Sequence, residues 1–314
     1  MPVDPDIQAM LDRLNAGPKE RLTLHQARAL YVRQYLEMSL PPGGDVAEQR
    51  ISIPGAHPDT ALTLYRPAGL HPGAPVILYL HGGGFVLGDA EAYSRQSARI
   101  ALETGAVVAF LDYRRSPEHR FPAALEDTVL AVRWIAGNAA SFGTDPARFA
   151  IAGDSAGGNL AIAAMLHHRG DGLLRCVGLL YPVTDLRPYL GLAPLSASDE
   201  AFAAGFYLEL AEMGYFGRSY LSDPQMAADP RISPLAADDL GGLPPVLIHA
   251  AEFDVLRDQG EAFAHRLQAA GNTVRYIRHD GLIHNFMQMA GISRRADQAF
   301  RQVCRALREA LAAG

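Results

Sequence analysis

The pentapeptide Gly153-Asp154-Ser155-Ala156-Gly157 constrains this chain more than any other stretch. An apolar run, Phe149-Ala150-Ile151-Ala152, precedes it, and a helix-forming run, Gly158-Asn159-Leu160-Ala161-Ile162-Ala163-Ala164-Met165-Leu166, follows. Strand, G-x-S-x-G and helix in that order is the setting of a nucleophile elbow, a sharp strained turn that projects a serine hydroxyl from the end of a sheet. The flanking glycines let strand and helix approach each other closely around the turn. The bland alternative, a glycine-rich turn carrying a solvated serine, leaves both flanking patterns unexplained.

The rest of the chain repeats this alternation. Short apolar runs of the kind expected for buried strands lie at 76–80, 107–111, 149–152, 177–181, 246–250 and 274–277, with β-like runs at 49–53 and 61–66. Helical spacing of apolar residues marks 93–104, 123–138, 157–168, 260–270 and 293–311, and two further helices are expected near the N-terminus, over 5–15 and 22–38. Alternating strands and helices predict an α/β fold with a mostly parallel sheet covered by helices on both faces. One segment departs from the rhythm. After Asp185 about sixty residues pass before the next buried strand, with a helical stretch expected over roughly 198–221 and a proline-containing return near 229–234. Insertions of that length in compact domains are commonly functional, lids among them. Its apolar residues, such as Phe202, Phe206, Tyr207, Leu208, Met213 and Phe216, are each expected to pack on the body, with some left to line a pocket.

Composition narrows the function classes. A chain of 314 residues with 49% hydrophobic content can bury one large core. Its net charge of −6 offers no basic excess for a phosphate backbone, which argues against nucleic acid as a partner. The opening Met1-Pro2-Val3-Asp4-Pro5-Asp6 lacks a secretory pattern and no apolar run is long enough to insert in a membrane, so a cytoplasmic location is expected. Cys176 and Cys304 have no metal-ligand spacing and form no disulfide framework, and read as buried small hydrophobes.

A serine hydroxyl is a weak nucleophile and needs a general base, itself oriented by a third group. In this architecture the order along the chain is serine, acid, histidine. Asp254 lies just past the run at 246–250 and is the leading acid, with Glu252 and Asp258 as competitors, although Asp258 precedes a helix and could serve as its cap. His284, in Asp280-Gly281-Leu282-Ile283-His284, follows the run at 274–277 by a loop and is the leading base, with His279 its nearest rival. Acyl transfer also requires backbone amides where negative charge develops. Ala156 follows the nucleophile, and His81-Gly82-Gly83-Gly84-Phe85 follows the apolar run at 76–80, where three glycines free the amides to turn toward a ligand. A phosphate loop would carry a Lys-Ser/Thr pair, which is absent here. His81 reads as an organiser of that loop rather than as a catalyst.

With these residues in place the chain resembles the bacterial hormone-sensitive-lipase family of α/β-hydrolase carboxylesterases. The likeness rests on His81-Gly82-Gly83-Gly84 and Gly153-Asp154-Ser155-Ala156-Gly157-Gly158, supported by Asp112-Tyr113-Arg114, Pro117-Glu118-His119, Phe121-Pro122-Ala123-Ala124, Asp254-Val255-Leu256-Arg257-Asp258 and Gly281-Leu282-Ile283-His284. It runs from about residue 48 to the C-terminus. Arg115-Ser116 departs from the small apolar pair usual in the family.

The resemblance implies an eight-stranded α/β-hydrolase domain over 1–314. A helical cap of about 1–45 and 186–225 would cover a catalytic body of about 46–185 and 226–314. It further implies oxyanion donors at Gly83, Gly84 and Ala156, and hydrolysis of short- to medium-chain acyl esters. The expected chemistry is acylation of Ser155, with His284 as base and then acid and Asp254 holding the imidazole, followed by hydrolysis by water. It requires no metal or organic cofactor. The expected partner is a small-molecule ester, and the edge strand near 274–277 offers a surface for a homodimer. The same triad would also serve amide or lactone hydrolysis, or acyl transfer to an alcohol. A pure ligand-binding role is disfavoured because all three triad residues are present.

Overall fold

The computed structural model describes residues 1–17 and 22–313. Residues 18–21 of the expected cap, and residue 314 at the end of the expected body, lie outside the described residues. In chain order the elements are α1 (Pro5–Ala16), α2 (Leu24–Met38), β1 (Val46–Ile51), β2 (Ala61–Pro67), β3 (Ala74–Leu80), α3 (Ala90–Thr104), β4 (Val107–Asp112), α4 (Ala123–Asn138), β5 (Thr144–Asp154), α5 (Ala156–His167) and β6 (Cys176–Leu180), then α6 (Ala197–Ala201), α7 (Leu210–Tyr220), β7 (Val246–Phe253), α8 (Arg257–Ala269), β8 (Val274–Ile283) and α9 (Arg294–Ala312). Local chemistry sets several of their ends. Asp4 caps α1 with proline in its first turn, Thr23 and Gln26 form a reciprocal capping box on α2, and α3 runs from an Asp89 cap to a left-handed Gly105.

The eight strands form one sheet in the order β1-β2-β4-β3-β5-β6-β7-β8. β1 and β2 pair antiparallel, as do β2 and β4, and every other pairing is parallel. Strand alternation divides the core in two. Val76, Leu78 and Leu80 of β3 face a layer that includes α4, α5 and α8. Ile77 and Tyr79 face the opposite layer with α3, α9 and the N-terminal helices. The strands read as continuous apolar runs because both faces are covered. Cys176 and Cys304 are free thiols buried in this second layer.

The structure corrects the sequence expectations at three places. The helical stretch expected over 198–221 is two helices, α6 and α7. Between them Gly205 and Tyr207 adopt positive φ (86° and 80°), which an α-helix cannot accommodate. The strand expected to end at 277 continues to Ile283, so His284 follows a strand end directly and no loop intervenes. Gly281, at φ +79°, bends that strand, and its pairing with β7 slips between Ala251 and Phe253. β1 begins at Val46 and ends at Ile51, a shift toward the N-terminus from the expected 49–53.

Candidate active site

Ser155 sits between β5 and α5 with φ +53° and ψ −116°, a conformation that side chains rarely adopt. Neighbouring strands hold the turn. The Ser155 amide donates to the Leu180 carbonyl at 2.9 Å, and the Ser155 carbonyl accepts from Val183 at 3.1 Å. Close packing explains the glycine after it, since a Cβ on Gly157 would lie 2.0 Å from the Leu80 carbonyl oxygen.

Three buried side chains from three strand ends converge at this turn. His284 Nε2 lies 3.0 Å from Ser155 Oγ, and His284 Nδ1 lies 2.7 Å from Asp254 Oδ2. The other Asp254 oxygen accepts the Leu256 amide at 2.9 Å, which fixes the carboxylate plane. Of the competing acids, Glu252 instead accepts the Gly281 amide at 2.6 Å, and Asp258 accepts the Ser198 amide at the start of α6 at 2.8 Å. The rival base His279 lies away from the serine and pairs with His249, Nε2 to Nδ1 at 2.9 Å.

The glycine loop borders the same turn. Gly83 and Gly84 have φ of +98° and +62°. Their amides, and that of Ala156 at the first position of α5, have no acceptor among the described residues. Gly84 is also a contact surface: a Cβ there would fall 2.2 Å from Cγ of Phe216 on α7. His81 is buried, stacked 4.1 Å from the Tyr113 ring, with Nδ1 2.7 Å from the Gly82 carbonyl oxygen. Burial pushes its pKa down to about 3, so the ring is neutral. The unusual Arg115 joins this loop's far end by donating to the Gly88 carbonyl.

Sequence reasoning missed a second group of residues. Asp154, fully buried beside Ser155, accepts hydrogen bonds from the Tyr79 hydroxyl at 2.9 Å, the Tyr93 hydroxyl at 2.9 Å and the Gly82 amide at 3.1 Å. Desolvation raises its pKa to about 6 against the pull of these donors. Tyr93 lies 3.2 Å from the Tyr31 hydroxyl on α2, and Tyr35, one turn on, accepts from Asn285 at 2.6 Å. The signal for Asp154 was in plain view, an acid inside the motif with apolar flanks. The tyrosines carried none, because their rings alternate like any core aromatic.

A cavity of about 460 Å³ opens above Ser155 and His284. α1 and α2 supply Leu11, Leu14, Leu30 and Tyr31 to its wall, while the segment after β6 supplies Val183, Leu186, Leu208, Met213 and Phe216. Of the aromatics singled out in that segment, Tyr207 also lines the cavity, whereas Phe202 and Phe206 pack against Phe253.

An α/β-hydrolase-fold family model matches residues 77–288, which span the glycine loop, the serine turn and the histidine. Ethyl acetate hydrolase of Pseudomonas putida is 33% identical over 99% of this chain and 100% of its own length. The carboxylic ester hydrolase LipN of Mycobacterium tuberculosis is 35% identical over 91% of this chain and 77% of its own. The chain belongs to the hormone-sensitive-lipase family of α/β-hydrolase carboxylesterases. Among solved structures, a thermostable esterase from Pseudomonas putida ECU1011 superposes on this carboxylesterase with a TM-score of 0.91 at 35% identity, covering 100% of this chain and 99% of the other. A hyperthermophilic esterase from Pyrobaculum calidifontis gives 0.90 at 34% identity, covering 98% and 99%. This esterase is therefore a serine carboxylesterase with the full α/β-hydrolase sheet. Among its described residues no helix is long and apolar enough to cross a membrane.

Proposed function

We propose that Ser155 is the acyl-accepting nucleophile, His284 its general base and then general acid, and Asp254 the group that orients the imidazole. The observation that carries this reading is the unbroken chain Asp254–His284–Ser155, at 2.7 and 3.0 Å, ending in an apolar cavity. With Nδ1 bound to the carboxylate, the Nε2 lone pair faces the hydroxyl and takes its proton as Oγ attacks the ester carbonyl. The amides of Gly83, Gly84 and Ala156 then receive the developing oxyanion, each being worth on the order of 10²–10³ in kcat. Collapse of the intermediate expels the alcohol, protonated by His284. Water attacks the acyl-enzyme by the same route in reverse.

The substrates in this reading are short- to medium-chain acyl esters. The bounded cavity supports it, as does the similarity to an ethyl acetate hydrolase. About 1–45 and 186–225 act as a cap over a body of about 46–185 and 226–314. The cap's residues roof the cavity and the body's carry the triad. β8 is an outermost strand, and a second copy pairing along it would give a homodimer, which light scattering at micromolar concentration decides. The central test is hydrolysis of p-nitrophenyl esters from acetyl to palmitoyl by the parent and by Ser155→Ala. Turnover should peak at short or middle chains and fall by about 10⁴-fold or more in the variant. A folded variant with the parent's rate overturns the assignment.

A further inference from the structure

Outside the lining of the cavity, His57, Asp59 and His119 come together from two distant segments, the β1–β2 connection and the loop after β4. Asp59 Oδ2 lies 3.6 Å from His57 Nδ1 and 3.3 Å from His119 Nε2, and all three ligand atoms are within 4.8 Å of one another. Neighbouring atoms bound to one tetrahedral zinc at 2.0–2.2 Å are separated by about 3.3–3.5 Å. Two of the three edges of such a site are therefore already near the required length.

We propose that His57, Asp59 and His119 bind a divalent transition-metal ion of the zinc class, with water completing the coordination. The donor set fits, since two imidazoles with one carboxylate suit zinc. His57 Nδ1 accepts the Asp59 amide at 3.2 Å, so its lone pair already lies on the nitrogen that faces the carboxylate. That long contact is the one the metal displaces. The carboxylate is not claimed by a guanidinium. Its ion-pair partners among the described residues are these two histidines, while Arg28 is paired to Glu118, Arg50 to Asp112 and Arg114 to Asp127.

Both segments are held in place before any ion arrives. Thr60 donates through its hydroxyl to Asp127 at 2.8 Å, and the His119 amide donates to the Arg115 carbonyl at 2.9 Å. A metal here would clip the β1–β2 connection to the loop that carries Glu118. Glu118 in turn holds Arg28 of α2, whose guanidinium donates to the Val86 carbonyl behind the glycine loop at 2.9 Å.

The test is zinc titration by calorimetry into the chelator-stripped enzyme, alongside His57→Ala, His119→Ala and Asp59→Asn. Cobalt is the spectroscopic probe. The parent should bind one zinc, show the intense visible bands of tetrahedral cobalt, and gain about 4 °C in Tm at a hundredfold excess over Kd. Each variant should bind at least about tenfold more weakly and lose the cobalt spectrum. Without metal the variants should melt with the parent and keep its esterase rate, which separates a lost ligand from a lost fold. No saturable binding by the parent below about 1 mM, or equal binding by parent and His119→Ala, overturns the site.

Discussion

Three donors converge on Asp154, and through Tyr93 they tie the residue before Ser155 to the glycine loop. The Tyr93 hydroxyl both donates to this carboxylate and accepts the Gly82 amide at 3.0 Å. Its removal leaves a buried carboxylate oxygen short of a partner, at a cost of about 1–3 kcal/mol. Tyr93→Phe should therefore lower kcat about tenfold through the loop while KM stays within about twofold, because the hydroxyl lies outside the cavity wall. An unchanged kcat in a variant with normal melting would refute this positioning role. That Ser155, Asp254 and His284 would meet was legible in the sequence because order and spacing along an α/β chain carry information about strand ends. Tyr93 was not, because its hydroxyl's partner is 61 residues away and only the folded sheet brings them together.

At the scale of elements, α7 supplies Met213 and Phe216 to the wall of the cavity. Phe216 lies against Gly84 so closely that the loop and the helix share one contact surface. Phe216→Ala opens space above the glycine loop, so its kcat/KM for the decanoyl ester relative to the acetyl ester should rise about tenfold. A p-nitrophenyl series on both enzymes measures the ratio, and an unmoved chain-length profile would place the limiting wall elsewhere. Strand and helix order was readable along most of the body, since apolar period and length mark each element. The break between α6 and α7 was not. Gly205 and Tyr207 turn left-handed there, and helical apolar spacing continues across the gap without betraying it. The extension of β8 to Ile283 was hidden for a related reason, as polar residues and a glycine interrupt the apolar run while backbone pairing persists.

For the whole molecule, stability should fall on acidification. His81 and His249 have pKa values pushed down to about 3, and His279 to about 4, chiefly by burial. Between those values and about 6.5 the unfolded chain binds protons that the folded one refuses, so the folded state loses ground as pH drops. Asp154, raised to about 6, opposes this from about pH 6 down to 4, where the folded state holds the extra proton. Asp112, its carboxyl also raised by burial, opposes it too, but the three histidines outweigh the two carboxyls, so Tm at pH 5 should lie below Tm at pH 7, and His279→Gln should flatten the slope. Calorimetric melts across that range check it, and a flat or rising Tm toward pH 5 contradicts it. The bond between Tyr35 and Asn285 spans 250 positions, and the Asp4 amide reaches the Gly281 carbonyl. The two helices that precede the sheet thus dock on turns at the end of its last strand. α2 already meets α3 through Tyr31 and Tyr93, but it and α1 complete their docking only when the turns at and beyond β8 have formed, and closing such long loops is slow. Docking of these helices and placement of His284 then belong to one late folding step, because Asn285, bonded to Tyr35, is the next residue in the chain.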